Sequence, residues 1–218
     1  MMMYHIESLR LEPIINIESH KKFGYEVLSN LSRNIKAELW YSTLQSKTQI
    51  SILHYQMNTV YKNRIPEPCF FNITINALLR LSFCDIKKIR WYESYGIEIS
   101  DFDKIDRLSD DDLNHLLRKV FIMNEVGIRV MIDDLKMSEI KYLELFKNFI
   151  YGIKIDHSEL TSNNLRYIVM ETNKNSDIVI IEGVERKDYL KIAKTLKLKY
   201  AQGYLWSDEN LILSVDPL

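Results

Sequence analysis

The stretch Gly127–Asp156, GIRVMIDDLKMSEIKYLELFKNFIYGIKID, carries the pattern that decides the fold. It opens on an apolar run, Ile128–Asp133, continues through a helix-compatible segment, Glu139–Phe149, and ends on a second short run, Ile153–Asp156. Strand, helix and strand in that order make the βαβ unit of a parallel sheet. Glycine opens three similar units: Gly96-Ile97-Glu98-Ile99, Gly127-Ile128-Arg129-Val130 and Gly152-Ile153-Lys154-Ile155. Each glycine is expected to take the left-handed turn that closes a helix before the next strand. Further helices read at Asp110–Val126 and Asn164–Glu171, and strands at Ile97–Ser100, Ile178–Glu182 and Tyr200–Ala201. Upstream, strands read at Leu11–Ile17, Phe23–Leu28 and Phe70–Ile75, and Ile35–Tyr61 reads as one long or two shorter amphipathic helices. The short Ile17-to-Phe23 connection suits a hairpin, which would make one strand antiparallel. Eight strands in this arrangement predict an α/β fold, a modified (β/α)8 TIM-like barrel with one antiparallel strand, as a single domain over residues 1–218.

The 29 basic and 30 acidic side chains leave a net charge of −1. A nucleic-acid or anionic-membrane binder would usually show a basic excess. Cys69 and Cys84 have no metal-ligand spacing, which suits a reducing, cytoplasmic setting. No apolar run approaches the roughly 20 residues that span a bilayer, and Met1–Arg10 lacks a basic-then-apolar leader pattern. The scattered tyrosines read as packing residues. His5, His20, His54, His115 and His157 show no metal-ligand spacing and read as structural or surface residues.

Polar residues interrupt the strands where core side chains belong. They are Glu26 in Tyr25-Glu26-Val27, Asn72 in Phe71-Asn72-Ile73, Glu98 in Ile97-Glu98-Ile99, Lys154 in Ile153-Lys154-Ile155 and Glu182 after Ile181. The run Val130-Met131-Ile132 ends in Asp133-Asp134. Taken singly, each has a bland reading. Glu26 suits a rim residue, Asn72 a ladder or turn, Asp133-Asp134 and Asp156 strand ends or caps, Lys154 a snorkelling side chain, and Gln202-Gly203 a turn. Together they share a single reading. A lone buried acid is costly, and acids converging from several strands with one lysine among them call for a divalent cation.

These strings, in this order, resemble the EAL domain, a barrel that hydrolyses the bacterial second messenger cyclic di-GMP. The likeness runs from Leu11 to Ser207. It rests on Gly24-Tyr25-Glu26-Val27-Leu28, Phe71-Asn72-Ile73-Thr74, Ile97-Glu98-Ile99-Ser100-Asp101, Asp133-Asp134, Lys154-Ile155-Asp156, Glu182-Gly183-Val184-Glu185 and Gln202-Gly203-Tyr204-Leu205. The resemblance implies two Mg²⁺ or Mn²⁺ ions. Glu26, Asn72, Glu98 and Asp133 would hold one. Asp133 would bridge to the second, beside Asp134 and Glu182. Lys154 would position the attacking water, with Glu26, Glu182 and Gln202 completing the catalytic set. Leu28, Asn30, Asp156 and Gln202 would meet the substrate.

Three departures bear on that expectation. The family's glycine-rich loop after the double aspartate is replaced by Leu135-Lys136-Met137-Ser138-Glu139, which is shorter and has no glycine to take positive φ. The glutamate that anchors this loop is replaced by Asp101. An arginine that contacts phosphate is replaced by Asn30, which cannot rebuild a bidentate contact. Two functions therefore stand side by side: hydrolysis of cyclic di-GMP to the linear dinucleotide, or a catalytically silent barrel that senses the nucleotide or binds a protein such as a transcription regulator. A homodimer through the face near Leu135–Phe149 is a further implication of the family, with no direct nucleic-acid contact and no membrane segment.

Overall fold

The computed structural model describes residues 5–32, 35, 40–41 and 43–212. The hairpin forms as expected: β1 (Ile6–Asn16) and β2 (Lys22–Leu31) pair antiparallel, with Arg10 opposite Leu28 and Glu12 opposite Glu26. Asn16 makes the turn by accepting from Glu18 N and Ser19 N at 3.1 and 2.9 Å, and His20 supplies the left-handed residue at φ 57°.

After β2 the chain alternates. Helix α1 (Ser46–Lys62) leads to β3 (Cys69–Ile73), then to α2 (Ile75–Arg80), α3 (Phe83–Arg90) and β4 (Tyr95–Ile99). Helix α4 (Asp110–Glu125) precedes β5 (Arg129–Leu135). A 3₁₀ turn (Met137–Tyr142) and the single-turn α5 (Leu143–Phe146) precede β6 (Gly152–Ile155). Then come α6 (Leu165–Asn175), β7 (Val179–Ile181), α7 (Lys187–Thr195), β8 (Tyr200–Ala201) and β9 (Glu209–Ile212). Strands β2 to β8 pair in parallel in sequence order. β1 closes the ring, antiparallel to both β8 and β2. The result is an α/β barrel of the TIM type with an inserted antiparallel strand. Strand β9, absent from the sequence expectation, adds antiparallel to β1 at Ser8–Leu11.

Local chemistry explains most boundaries. Ser109 Oγ accepts from Asp112 N at 3.1 Å, and three aspartates in the first turn of α4 face its positive dipole end. The helix ends at Gly127, φ 80°, with Ile128 N returning to Met123 O at 2.8 Å. Gly127 alone of the three unit-opening glycines has positive φ. Gly96 and Gly152 lie inside strands instead. A Cβ on Gly96 would meet the Phe70 ring at 2.7 Å, so its smallness makes room for the barrel floor. The expected helix Glu139–Phe149 is reduced to the 3₁₀ turn and one α-turn. Of the expected Ile35–Tyr61 helix, the structure describes α1, and residues 36–39 and 42 lie outside the described residues, as do 1–4 and 213–218 of the expected domain.

Two kinds of core follow from strand alternation. Outward residues such as Leu9, Leu11, Val27, Phe71, Ile97 and Ile132 pack under the helices. Inward residues Ile14, Phe70, Met131 and Ile180 fill the barrel floor, with Phe23, Tyr151 and Tyr200 beneath. Burial of each such side chain stabilises by about 1.5–3 kcal/mol. The next inward position on every strand, toward the carboxyl ends of the parallel strands, is polar.

Candidate metal centre

The alternation that puts Ile14, Phe70, Met131 and Ile180 inside puts the residues two positions away inside as well. One polar side chain thus comes from each barrel strand: Glu12, Glu26, Asn72, Glu98, Asp133 and Lys154 from β1 to β6, then Glu182 and Gln202 just past β7 and β8. Lys154 is fully buried at the centre. Its Nζ lies 2.7 Å from Glu26 Oε2, 2.8 Å from Glu182 Oε1, 2.9 Å from Asp133 Oδ1 and 3.3 Å from Glu98 Oε2. Asn72 Nδ2 donates to Glu26 Oε1, and Gln202 Nε2 to Glu26 Oε2, each at 2.7 Å.

Asp133 and Asp134 are consecutive and would point to opposite faces of a regular strand. A register break between Ile132 and Leu135 and the positive φ of Asp134, 51°, overturn that. The bulge turns both carboxylates to the same mouth. Oxygens of Glu26, Glu98 and Asp133 lie within 4.8 Å of one another, and so do those of Asp133, Asp134 and Glu182. Asp133 is common to both groups. A non-glycine residue at positive φ costs about 1–3 kcal/mol and persists where its surroundings hold it.

One ammonium cannot balance this charge. Burial pushes the Glu98 and Glu182 carboxyls well up, against the pull of Lys154. Burial also dominates at Asp133, which is pushed up to about 7 as Glu26 and Asp134 add to it. Glu26 resists its own burial because Lys154, Asn72 and Gln202 hold its ionised form, so it stays below the usual range. Burial works against charged Lys154, but four carboxylates outweigh it and keep it cationic. Several buried acceptors have no hydrogen-bond partner: Asn72 Oδ1, Glu98 Oε1, Glu182 Oε2 and Gln202 Oε1. Asp133 Oδ1 touches the ammonium but accepts no well-aligned hydrogen bond. Each such orphan costs about 1–3 kcal/mol. Unsatisfied oxygens, and acids that hold protons for want of a second counter-charge, fit a hard, oxygen-seeking divalent cation such as Mg²⁺ or Mn²⁺ at this point.

The surroundings of the cluster are less predictable from sequence. A groove of about 510 Å³ opens over it, lined by Glu26, Leu28, Asp134, Glu182, Gln202 and Tyr204 among others. Glu12 lines this groove too; its place opposite Glu26 in the hairpin was the available signal. Asn30 lies further along β2, where its amide donates to Ser8 Oγ at 2.9 Å and Asn210 Oδ1 at 3.1 Å. Asp156 is buried and caps the turn after β6, accepting from Ser158 N at 2.7 Å. Asp101 accepts from Ile75 N at 2.6 Å and pairs with Lys104 at 3.2 Å, tying β4 to the start of α2. The segment after Asp134 is held by other acids. Lys136 N donates to Glu139 Oε2 at 2.9 Å and Met137 N to Glu159 Oε1 at 3.0 Å, while Lys136 Nζ lies 3.7 Å from Asp156. Glu159, buried, was missed from sequence, where nothing marks it off from a surface acid.

The family model described as EAL domain matches residues 7–209. Among solved structures, the EAL enzyme Bd1971 in its cAMP- and cyclic-di-GMP-bound form is similar at 19% identity and a TM-score of 0.72, over 94% of this chain and 62% of that one. Klebsiella pneumoniae BlrP1 with manganese and cyclic di-GMP is similar at 14% identity and a TM-score of 0.76, over 94% of this chain and 56% of that one. A stand-alone EAL protein of Vibrio cholerae O395, in its c-di-GMP-bound form, is similar at 19% identity and a TM-score of 0.74, over 95% and 93%. The chain thus spans under two thirds of Bd1971 and BlrP1. None of the curated proteins matches the sequence.

Proposed function

The chain belongs to the EAL domain family, and on that premise we propose that it is a metal-dependent phosphodiesterase that opens cyclic di-GMP to the linear dinucleotide in the bacterial cytoplasm. The observation that carries the proposal is the pair of oxygen clusters sharing Asp133 around a buried lysine. Glu26, Asn72, Glu98 and Asp133 would hold one Mg²⁺ or Mn²⁺ ion, and Asp133, Asp134 and Glu182 a second. Bound there, the ions would supply charge neutralisation at the phosphate and an acidified water.

The chain's own residues do the rest. Lys154 is kept cationic by its acids, so with those carboxylates turned to the ions it would donate to the attacking water and face the phosphate charge; a protonated ammonium is not the base. Glu26, bonded by Asn72 and Gln202, fixes the ammonium. Gln202 keeps a free carbonyl oxygen to orient the water's proton. Hydrolysis forms one O–P bond and breaks the bond to the 3′ oxygen, which takes up a proton. Leu28 and Tyr204 supply apolar walls for the nucleotide. A homodimer is proposed at the face near Leu135–Phe149, supported by exposed Leu145 there and by exposed Phe121 and Ile122 on α4 beside it.

The test is hydrolysis of cyclic di-GMP by purified protein with Mn²⁺ or Mg²⁺, read by chromatography beside Glu26→Ala. Metal-dependent linear product from the wild type alone is expected; equal rates for the two proteins end the proposal. A second reading, a silent barrel that binds nucleotide or a protein such as a transcription regulator, is favoured by the glycine-free segment pinned by Glu139 and Glu159, and by the commitment of Asn30 to Ser8 and Asn210. Cyclic di-GMP binding by calorimetry without turnover would select it. Among the described residues, no helix is long and apolar enough to cross a membrane.

A further inference from the structure

The barrel end opposite the carboxylates carries an exposed aromatic platform. Trp91 is 62% exposed and packs at a tilt against Tyr61, itself 50% exposed, with ring centroids 4.8 Å apart; Tyr92 meets Trp91 at 5.0 Å. Two hollows flank Trp91 and Tyr92. One of about 450 Å³ is lined also by His54, Lys87 and Lys88, and one of about 770 Å³ also by Tyr61, Lys62 and Arg64. Both lie where α1 and α3 end and where β3 and β4 begin, far from the mouth that holds Lys154. Among the described residues, Lys62, Arg64, Lys87 and Lys88 form no ion pair, although all four are exposed. Asp85, the nearest acid on α3, is committed to Ser82 and His54. Glu93 is the acid at the rim of the second hollow. Exposed Phe83, under the Lys87 ammonium at 4.8 Å, extends the surface.

Tryptophan and tyrosine left wet beside unpaired cations are what binding hot spots look like before their partner arrives. The concavities on either side of Trp91 suit side chains of a chain segment, not a flat surface. The four cations call for carboxylates between those side chains. The near-neutral chain, net charge −1, gives no general field for nucleic acid or lipid. We propose that this platform docks an acidic peptide segment of a partner protein, its apolar residues entering the two hollows and its carboxylates meeting Lys62, Arg64, Lys87 and Lys88. Docking there leaves the carboxylate groove open, so it would act independently of turnover.

The probe is a random peptide display library selected on the folded wild-type protein. Two counter-selections use Trp91→Ala and the double variant Lys87→Glu with Lys88→Glu, whose exposed positions leave the core intact; unchanged circular-dichroism melts verify folding. Recovered peptides should be rich in aspartate and glutamate together with leucine or aromatic residues. A labelled representative should bind the wild type about tenfold or more tightly than either variant and weaken as salt rises. Peptides without acidic enrichment, or equal binding to the variants, overturn the proposal. So does tighter binding of oligouridylate or of phosphatidylglycerol vesicles, which would assign the face to RNA or membrane. Self-association lost in Trp91→Ala on sedimentation would assign it to a second copy and overturn it equally.

Discussion

Replacing Lys154 by methionine removes the one buried cation that four carboxylates share at 2.7–3.3 Å. Methionine keeps much of the volume, so the loss is electrostatic and not a cavity. Removing one partner of a buried ion pair costs about 3–5 kcal/mol because the remaining charge is left uncompensated. For a chain of this size, at about 2–4 °C per kcal/mol, the melting temperature should fall by about 6–20 °C. The sign of the pH dependence follows from the acids. Asp133 is pushed up to about 7, and Glu98 and Glu182 lie well above the usual range. Groups raised in this way hold protons in the folded state that the unfolded chain has released, so metal-free stability falls as pH rises from about 4 toward 7. Without Lys154 the acids rise further, and the fall steepens. Urea unfolding of the wild type and Lys154→Met in chelator, at pH 5 and pH 8, reads both effects. The variant's deficit should be larger at pH 8, and saturating Mn²⁺ should restore most of the stability but not hydrolysis. A deficit under about 1 kcal/mol at pH 8, or one equal at both pH values, refutes the shared-cation argument.

Other outcomes follow from the same geometry. Mn²⁺ should raise the wild-type melting temperature more at pH 8 than at pH 5, because protons on Asp133, Glu98 and Glu182 compete with the ion; differential scanning fluorimetry decides it. Glu159→Ala strips Met137 N of its acceptor and should weaken Mn²⁺ binding by about 10–100-fold, read by calorimetry, through the segment that follows Asp134. Unchanged affinity would show that this segment does not position Asp134. Asp134→Gly relieves positive φ and should stabilise the metal-free protein by about 1 kcal/mol in urea titration while lowering hydrolysis; a loss of stability would mean that the carboxylate has a structural partner. Gly183→Ala, at φ 68° and against His157, should destabilise by about 1–3 kcal/mol.

Strand periodicity made the barrel legible, since Glu26, Asn72, Glu98 and Lys154 each stand between two apolar residues that pack outward under the helices, which turns all four to the inner face. The hairpin length foretold antiparallel β1. Four things were out of reach. Gly96 and Gly152 serve close packing around Phe70, Met131 and Ile178, and a linear pattern cannot tell that use from a helix-ending turn. The bulge that brings Asp134 beside Asp133 depends on register with β6, a long-range property. Glu139 and Glu159 stand in ordinary polar sequence, and only folding buries them against backbone N–H groups. Strand β9 pairs with β1 across nearly the whole length of the chain, and no local signal announces that.

Crystals grown with Mn²⁺ and measured at the manganese absorption edge would locate the ions themselves. Two anomalous peaks are expected at the barrel mouth, one touching Glu26, Asn72, Glu98 and Asp133, the other touching Asp133, Asp134 and Glu182. Absence of any peak against Asp133, with Lys154 still enclosed by its four carboxylates, would contradict the proposed metal centre.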